Sequence, residues 1–150
     1  MHSDLLGHDQ WTRERMRVLL VEDSSDQAEL IREMLALSSQ YQFELQHEPH
    51  LHGGLDWLRD YTPDLVLLDL NLPDSRGLSG IQRMRDAAPG VPIIVLTNVE
   101  DEATALHALR VGAEDYLHKR QLAPELLVRA MRYAVERARV DEALRESEER

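Results

Sequence analysis

The chain has 150 residues, 43% of them hydrophobic and 30% charged, so it can bury one core but is too short for two ordinary domains. Its net charge of −11 argues against direct contact with nucleic acid, and the absence of cysteine excludes disulfides and thiolate metal sites. No apolar run approaches the ~18 residues of a membrane span, and the amino terminus lacks a signal-peptide pattern, so we expect a cytoplasmic protein.

The chain begins with a segment, residues 1–14, that shows no sustained hydrophobic period, and we interpret it as a leader. From Met16 onward, short apolar runs alternate with segments in which apolar residues recur at helical spacing. Five such runs are present, at residues 18–21, 43–45, 65–68, 93–96 and 116–117. Ser24 or Ser25 can cap the first helix, and Pro124 suits the first turn of the last one.

This alternation predicts the fold class. Strands that are apolar on both faces and alternate with helices form a mostly parallel sheet covered on both sides. We therefore expect an α/β domain over residues 15–135, with a five-stranded parallel sheet in the doubly wound (βα)5, flavodoxin-like arrangement. In such sheets ligands bind at the carboxyl ends of the strands, so residues that carry chemistry should follow the apolar runs directly.

Polar residues follow four of the five runs. Glu22 and Asp23 follow the first run, Asp69 follows the third and Thr97 follows the fourth. Lys119, the only lysine in the chain, lies two residues beyond the fifth. Taken singly, each of these residues is well explained as a helix cap or a turn residue. Together and in this order, they predict a site at one edge of the sheet.

The residue types at this edge indicate phosphoryl transfer. Three converging carboxylates repel one another unless a cation is bound, and ligands that are all oxygen favour Mg²⁺. Asp69 ends a central strand and can attack phosphorus as a nucleophile, which forms an aspartyl phosphate. Thr97 can donate a hydroxyl hydrogen bond to a phosphoryl oxygen, and Lys119 can supply a compact positive charge.

These residues lie in segments that resemble the response-regulator receiver domains of two-component systems, the CheY-like superfamily. The similarity extends from about Arg17 to Arg139 and rests on four segments, VLLVEDSSDQAELI, PDLVLLDLNLPDSRGL, PGVPIIVLT and ALRVGAEDYLHK. The resemblance implies a phosphoacceptor switch whose only catalysis is slow self-dephosphorylation. It also implies that the phosphodonor is a histidine kinase or a histidine phosphotransfer protein.

The resemblance further assigns roles to individual residues. Asp69 is implied to be phosphorylated, and Mg²⁺ is implied to be held by Glu22, Asp23, Asp69 and the backbone carbonyl of Asn71. Thr97 and Lys119 are implied to engage the phosphoryl group. Tyr116 falls at the aromatic switch position, where ring orientation is coupled to Thr97 and alters the face around the last strand and the last helix.

Two residues depart from the family pattern. Asn98 stands where a small residue is usual, and we expect its larger side chain to slow attack by water or hinder the phosphodonor. Arg120 stands where a proline most often follows a cis bond. Since a cis bond before a non-proline residue costs ~2.5–4 kcal/mol, we expect a trans bond or a strained loop there.

These departures leave an alternative open, a pseudo-receiver that acts as a phosphorylation-independent interaction or dimerisation module. A phosphatase with an aspartate nucleophile is disfavoured, because Asn71 stands where its general acid would be. The histidines around Pro49 receive no role, since we interpret this segment as a loop and expect exposed imidazoles at His47, His50 and His52.

The last helical pattern continues to the end of the chain without glycine or proline. Residues of a candidate coiled-coil seam recur at spacings of four and three: Tyr133, Arg137, Val140, Leu144 and Ser147. We interpret residues 136–150 as a helical connector, which resembles those that join receivers to PAS, kinase or cyclic-dinucleotide modules. The sequence therefore predicts the amino-terminal part of a larger signalling protein, with a possible homodimer through this helix.

Overall fold

The computed structural model describes residues 13–98 and 102–149. Its strands are β1 (Glu14–Val21), β2 (Tyr41–Glu48), β3 (Leu65–Asp69), β4 (Asn71–Leu72), β5 (Ser75–Arg76), β6 (Ile93–Thr97) and β7 (Asp115–His118). Its α-helices are α1 (Ser25–Ala36), α2 (Leu51–Trp57), α3 (Ser79–Ala87), α4 (Glu102–Arg110) and α5 (Pro124–Glu149), with a 3₁₀ turn at Lys119–Gln121. Of the predicted leader, residues 1–12 lie outside the described residues.

The main sheet has five strands in the order β2-β1-β3-β6-β7, and every neighbouring pair is parallel. Each of the five apolar runs lies within one of these strands. The predicted doubly wound α/β fold with an extended last helix is therefore confirmed. Strand order reverses between β1 and β3, which places the expected ligand site at the carboxyl ends of these two strands.

The core consists of two clusters, one on each face of the sheet. Successive strand residues point to opposite faces, so Val18 and Leu20 of β1 pack with α1 and α5, whereas Leu19 and Val21 pack with α2, α3 and α4. All four side chains are fully buried. Burial on both faces explains why β1 is a continuous apolar run rather than an alternating one.

Two helices begin as their sequences predict. Ser24 is the N-cap of α1, where its hydroxyl accepts a hydrogen bond from the Gln27 N–H at 3.2 Å. Pro124 is the first residue of α5, a position at which the missing N–H of proline leaves no hydrogen bond unmade.

The antiparallel hairpin of β4 and β5 directly follows β3 and was not anticipated from the sequence. Asn71 pairs with Arg76 and Leu72 with Ser75, and Gly77 after it has a φ of 77°. The turn of the hairpin carries Asp74, whose carboxylate accepts hydrogen bonds from two backbone N–H groups at the start of α2. The hairpin thereby connects the end of β3 to α2.

Helix α5 has 26 residues and only its first half packs on the sheet. Leu127 and Met131 are fully buried, whereas residues 139–148 are exposed. Two ion pairs join the helix to the domain where it leaves the core: Arg137 contacts Glu114 at 3.3 Å, and Arg139 contacts Glu14 at 2.9 Å. None of the helices in the described ranges combines the length and apolarity needed to cross a membrane.

Candidate functional site

Strand register brings the predicted acidic residues to one edge of the sheet. Val21 of β1 lies opposite Leu68 of β3, so Glu22 and Asp69 are the next residues at the same level of neighbouring strands. Both residues are buried: Glu22 is completely inaccessible to solvent and Asp69 is 2% exposed. Asp23 is exposed. Each of these acids offers an oxygen within 4.8 Å of the others, and they form the one such cluster found in the described part of the chain.

Lys119 lies between the two buried acids. Its Nζ is 2.6 Å from Oε1 of Glu22 and 3.1 Å from Oδ2 of Asp69, and its side chain is 10% exposed. The 3₁₀ turn that begins at Lys119 follows β7 directly, and β7 is an edge strand two places from β3. The long lysine side chain therefore spans the distance from the sheet edge to the centre of the site.

The second oxygen of the Asp69 carboxylate is held by the hairpin. Oδ1 accepts a hydrogen bond from the Asn71 N–H at 3.0 Å. Both oxygens of Asp69 thus have defined partners, Lys119 on one side and the hairpin backbone on the other. These two contacts and the fully buried strand hold the Asp69 carboxylate in one orientation in the absence of any ligand.

The electrostatics of the site follow from crowding and burial. Burial, together with the neighbouring Asp69, raises the pKa of Glu22 to about 7. Burial alone would also raise the pKa of Asp69, but hydrogen bonds with Glu22 and the Asn71 N–H and the charge of Lys119 outweigh it, so this pKa is lowered. Burial likewise opposes the charge of Lys119, yet its contacts with both acids raise its pKa.

The charges at this site suit a divalent cation. When all three carboxylates are ionised, as metal ligands must be, they carry a charge of −3, and Lys119 neutralises one of them, which leaves a charge of −2 for a cation to balance. The side-chain ligands are all carboxylate oxygens, which are hard donors of the kind Mg²⁺ prefers. Glu22, Asp23 and Asp69 therefore fit the ion that the sequence predicts.

Thr97 and Tyr116 belong to β6 and β7, the two strands that follow β3 in the sheet. Thr97 is the last residue of β6 and is fully buried, and Asn98 after it is exposed. Tyr116 is half-buried and packs against the cluster formed with α2, α3 and α4. Its ring meets the ring of His118 edge-on, at 5.1 Å and an interplanar angle of 85°, a contact that the sequence did not suggest.

The bond before Arg120 is trans, as are all peptide bonds in the described residues. Arg120 is the exposed middle residue of the 3₁₀ turn, and no residue other than glycine has a positive φ in the described ranges. Of the two expectations for this loop, the trans bond is confirmed and the strained backbone is not observed.

One sequence prediction at the site is wrong. The sequence predicts an exposed loop imidazole at His47, but His47 lies within β2, is half-buried, and has its Nε2 2.6 Å from the backbone carbonyl oxygen of Glu22. His50 and His52 are exposed as expected. The parallel pairing of Leu20 with His47 brings this ring next to Glu22. The apolar run that predicts the second strand ends at residue 45, so the sequence pattern does not place His47 in the strand.

The chain that carries these buried acids and this lysine matches a known family. A family model, the response regulator receiver domain, covers residues 18–132. The chain belongs to this family. The transcriptional regulatory protein DltR of Streptococcus agalactiae is 40% identical over 114 residues, which cover 76% of this chain and 50% of DltR. The cell cycle transcriptional regulator CtrA of Caulobacter vibrioides is 36% identical over 116 residues, covering 76% and 48%.

The fold of this receiver domain is also found in solved structures. A CheY-like receiver domain protein from Methanospirillum hungatei superposes with a TM-score of 0.73 at 21% identity, covering 85% of this chain and 99% of that one. The chain spans about half the length of the curated relatives it matches. Receiver domains of response regulators are generally switches rather than enzymes.

Proposed function

We propose that this receiver domain is a phosphoacceptor switch, in which Asp69 is phosphorylated with the help of Mg²⁺. The observation that carries the proposal is the position of the Lys119 ammonium between Glu22 and Asp69, beside the exposed Asp23. A purely structural ion pair needs one acid for one lysine. Here one lysine contacts two buried acids, and Asp23 adds a third carboxylate to the cluster, so the site carries more negative charge than the lysine neutralises, which suits a divalent cation.

Asp69, Lys119 and Thr97 have different roles in the proposed phosphoryl transfer. A carboxylate oxygen of Asp69 attacks the phosphorus of the donor, a P–O bond forms, and the bond from phosphorus to the donor nitrogen or oxygen breaks with its electron pair leaving on the donor. Lys119 neutralises negative charge on the phosphoryl oxygens, and the Thr97 hydroxyl donates a hydrogen bond to one of them. Mg²⁺, when bound, supplies further positive charge and orients the phosphoryl oxygens.

The metal would be held by Glu22, Asp23 and Asp69, with the backbone carbonyl of Asn71 as a further ligand. Tyr116 would change orientation together with Thr97 once Asp69 is phosphorylated. Apart from phosphoacceptance, we propose no catalysis beyond slow self-dephosphorylation.

The proposed partners follow from this chemistry. The phosphodonor is a histidine kinase or a histidine phosphotransfer protein in the cytoplasm, and a small acyl phosphate can replace it in vitro. Direct binding of nucleic acid is not proposed, since the chain is strongly acidic. Residues 15–135 form the receiver unit and residues 136–150 the connector to an output domain.

The test of the proposal is the intact mass of the chain after incubation with acetyl phosphate and Mg²⁺. We expect a gain of one phosphoryl group that is lost in Asp69→Asn and lost when EDTA replaces Mg²⁺. Asp60→Asn removes an exposed carboxylate elsewhere and should still be phosphorylated. If the native chain gains no mass and does not bind beryllofluoride either, the proposal is wrong.

The second candidate function is the pseudo-receiver. It is favoured by Asn98 and Arg120, which depart from the usual family residues on either side of the site. A pseudo-receiver would bind its partners equally well before and after the change Asp69→Asn. A phosphoacceptor switch would lose its response to acetyl phosphate in that variant.

A further inference from the structure

We infer that His47 is a positioning residue for the metal ligands, because it fixes the peptide unit that joins Glu22 to Asp23. This inference rests on the proposed binding of Mg²⁺ and adds a residue of β2, a strand that supplies none of the predicted ligands. The ring itself is not proposed to touch the ion.

The contact is a short hydrogen bond between distant parts of the chain. Nε2 of His47 lies 2.6 Å from the carbonyl oxygen of Glu22, 25 residues earlier. A carbonyl oxygen can only accept, so the proton of this hydrogen bond is on Nε2. On the other side of the same residue, the Glu22 N–H donates to the Glu48 carbonyl at 3.0 Å. The end of β2 thus holds the backbone of Glu22 at both its N–H and its C=O.

This anchoring bears on Asp23 more than on Glu22. The carbonyl of Glu22 belongs to the planar peptide unit that ends at the Cα of Asp23. Fixing the plane of that unit fixes the position of the Asp23 Cα and leaves rotation about its N–Cα bond to set the direction of the side chain. Within the part of the chain that the structure describes, no hydrogen bond or ion pair holds the Asp23 carboxylate, whereas Lys119 holds that of Glu22.

The two acids therefore depend on different supports. Glu22 is fully buried and is held through its own carboxylate, while exposed Asp23 is positioned through the backbone. Mg²⁺ demands nearly octahedral geometry, so a displaced ligand costs affinity. Groups that orient metal ligands without touching the metal typically account for about 10–100-fold in affinity.

The experiment titrates each variant with MgCl₂ alone and follows backbone amide chemical shifts by NMR. His47→Leu removes the donor and keeps an apolar side chain in the half-buried position, and we expect its Mg²⁺ dissociation constant to rise about tenfold. His47→Gln keeps an N–H donor at similar reach and should recover most of the affinity. His107→Leu, at an exposed position of α4, is the matched control and should bind as the native chain does.

Stability measured in EDTA separates positioning from folding. A general structural role would lower the melting temperature of His47→Leu without metal and would not be rescued in Mg²⁺ affinity by glutamine. Native-like affinity in a folded His47→Leu chain would overturn the inference while leaving the proposed function intact. Failure of the native chain to bind Mg²⁺ would instead refute the proposed function, and the inference with it.

Discussion

The carboxyl group of Glu22 illustrates how one residue can be costly to the fold and useful to the site. It is fully buried beside Asp69, and this environment raises its pKa to about 7. A neutral Glu22 suits the metal-free fold, whereas a metal ligand must be ionised. Burial and repulsion between the carboxylates therefore oppose ionisation of Glu22 near neutral pH, and a bound cation would relieve the repulsion.

This opposition to ionisation predicts a pH dependence of stability in EDTA. The folded pKa of Glu22 lies above its ordinary value of 4.5, so its stabilising contribution is present below pH 4.5 and is lost as the pH rises through about 7. We expect the free energy of unfolding to fall over this window by roughly 3 kcal/mol, at ~1.36 kcal/mol per pKa unit. Denaturant titrations at a series of pH values would measure it.

The control for this prediction is Glu22→Gln, which cannot ionise and should lack the decline. The lowered pKa of Asp69 acts in the opposite direction, but only below its ordinary value of 3.8, outside the window. A native chain whose stability rises from pH 4.5 to 7 in EDTA would contradict the assignment.

Asn98 gives a second prediction at the scale of single residues, which rests on the proposed phosphorylation. Its exposed side chain follows Thr97 directly, at the rim of the site, where it is expected to hinder the attacking water. Asn98→Ala should lose its phosphoryl group about three- to tenfold faster, or roughly 1 kcal/mol in the barrier. The mass of phosphorylated chain over time would show this, with Gln82→Ala on α3 as the control. An unchanged or slower rate of phosphoryl loss in Asn98→Ala would show that Asn98 does not protect the phosphoryl group from water.

At the scale of elements, the hairpin after β3 couples the site to the helix on one face of the sheet. Oδ1 and Oδ2 of Asp74 each accept a hydrogen bond at 2.9 Å, from the N–H groups of Leu51 and His52. His50, the N-cap residue of α2, makes no side-chain capping bond, so Asp74 caps the helix from a distant part of the chain. Burial would raise the pKa of Asp74, but these backbone hydrogen bonds outweigh it, so this pKa is lowered.

Removing this cap should destabilise the fold by a predictable amount. We expect Asp74→Ala to reduce the free energy of unfolding by about 1 kcal/mol, the usual value for a lost helix cap. Asp74→Asn keeps one carbonyl oxygen and should lose about half as much. Urea denaturation followed by circular dichroism would measure both. An alanine variant as stable as the native chain would show that water replaces the cap without cost.

At the scale of the whole molecule, α5 presents two different faces. Val135 is 5% exposed and Val140 is 64% exposed, and five helical residues turn the second away from the first by about 140°. Tyr133 and Leu144 are likewise exposed, on the same face as Val140. The apolar residues of the predicted seam therefore point away from the receiver core.

We propose that the chain forms the homodimer that the sequence predicts through the connector helix, and the exposed apolar face of α5 supports this proposal. Val140→Asp places a charge in the centre of the seam and should shift the chain to monomers, because charge is unfavourable at core positions of coiled coils. Arg145→Asp introduces the same residue on the flank of the helix and should leave the dimer intact. Sedimentation velocity over a range of concentrations would distinguish the two. A native chain that is monomeric under all phosphorylating conditions would contradict the proposal.

Much of this protein was determined by local sequence patterns. The apolar runs specify strands buried on both faces, and the order of strands and helices specifies a parallel sheet. Because the carboxyl ends of parallel strands meet at one edge, the sequence alone predicts that Glu22, Asp69 and Lys119 lie together. The structure brings these three within direct contact.

Tertiary structure alone decided the contacts between distant segments. The hydrogen bond from His47 to Glu22 depends on the register of β2 against β1, and a shift of one residue would turn the ring to the other face. Asp74 caps α2 only because the β4–β5 hairpin places it there, and no apolar run in the sequence predicts this hairpin. Sequence periodicity reports which face of an element is buried, whereas these contacts depend on how two elements align, and only the packed core determines that alignment.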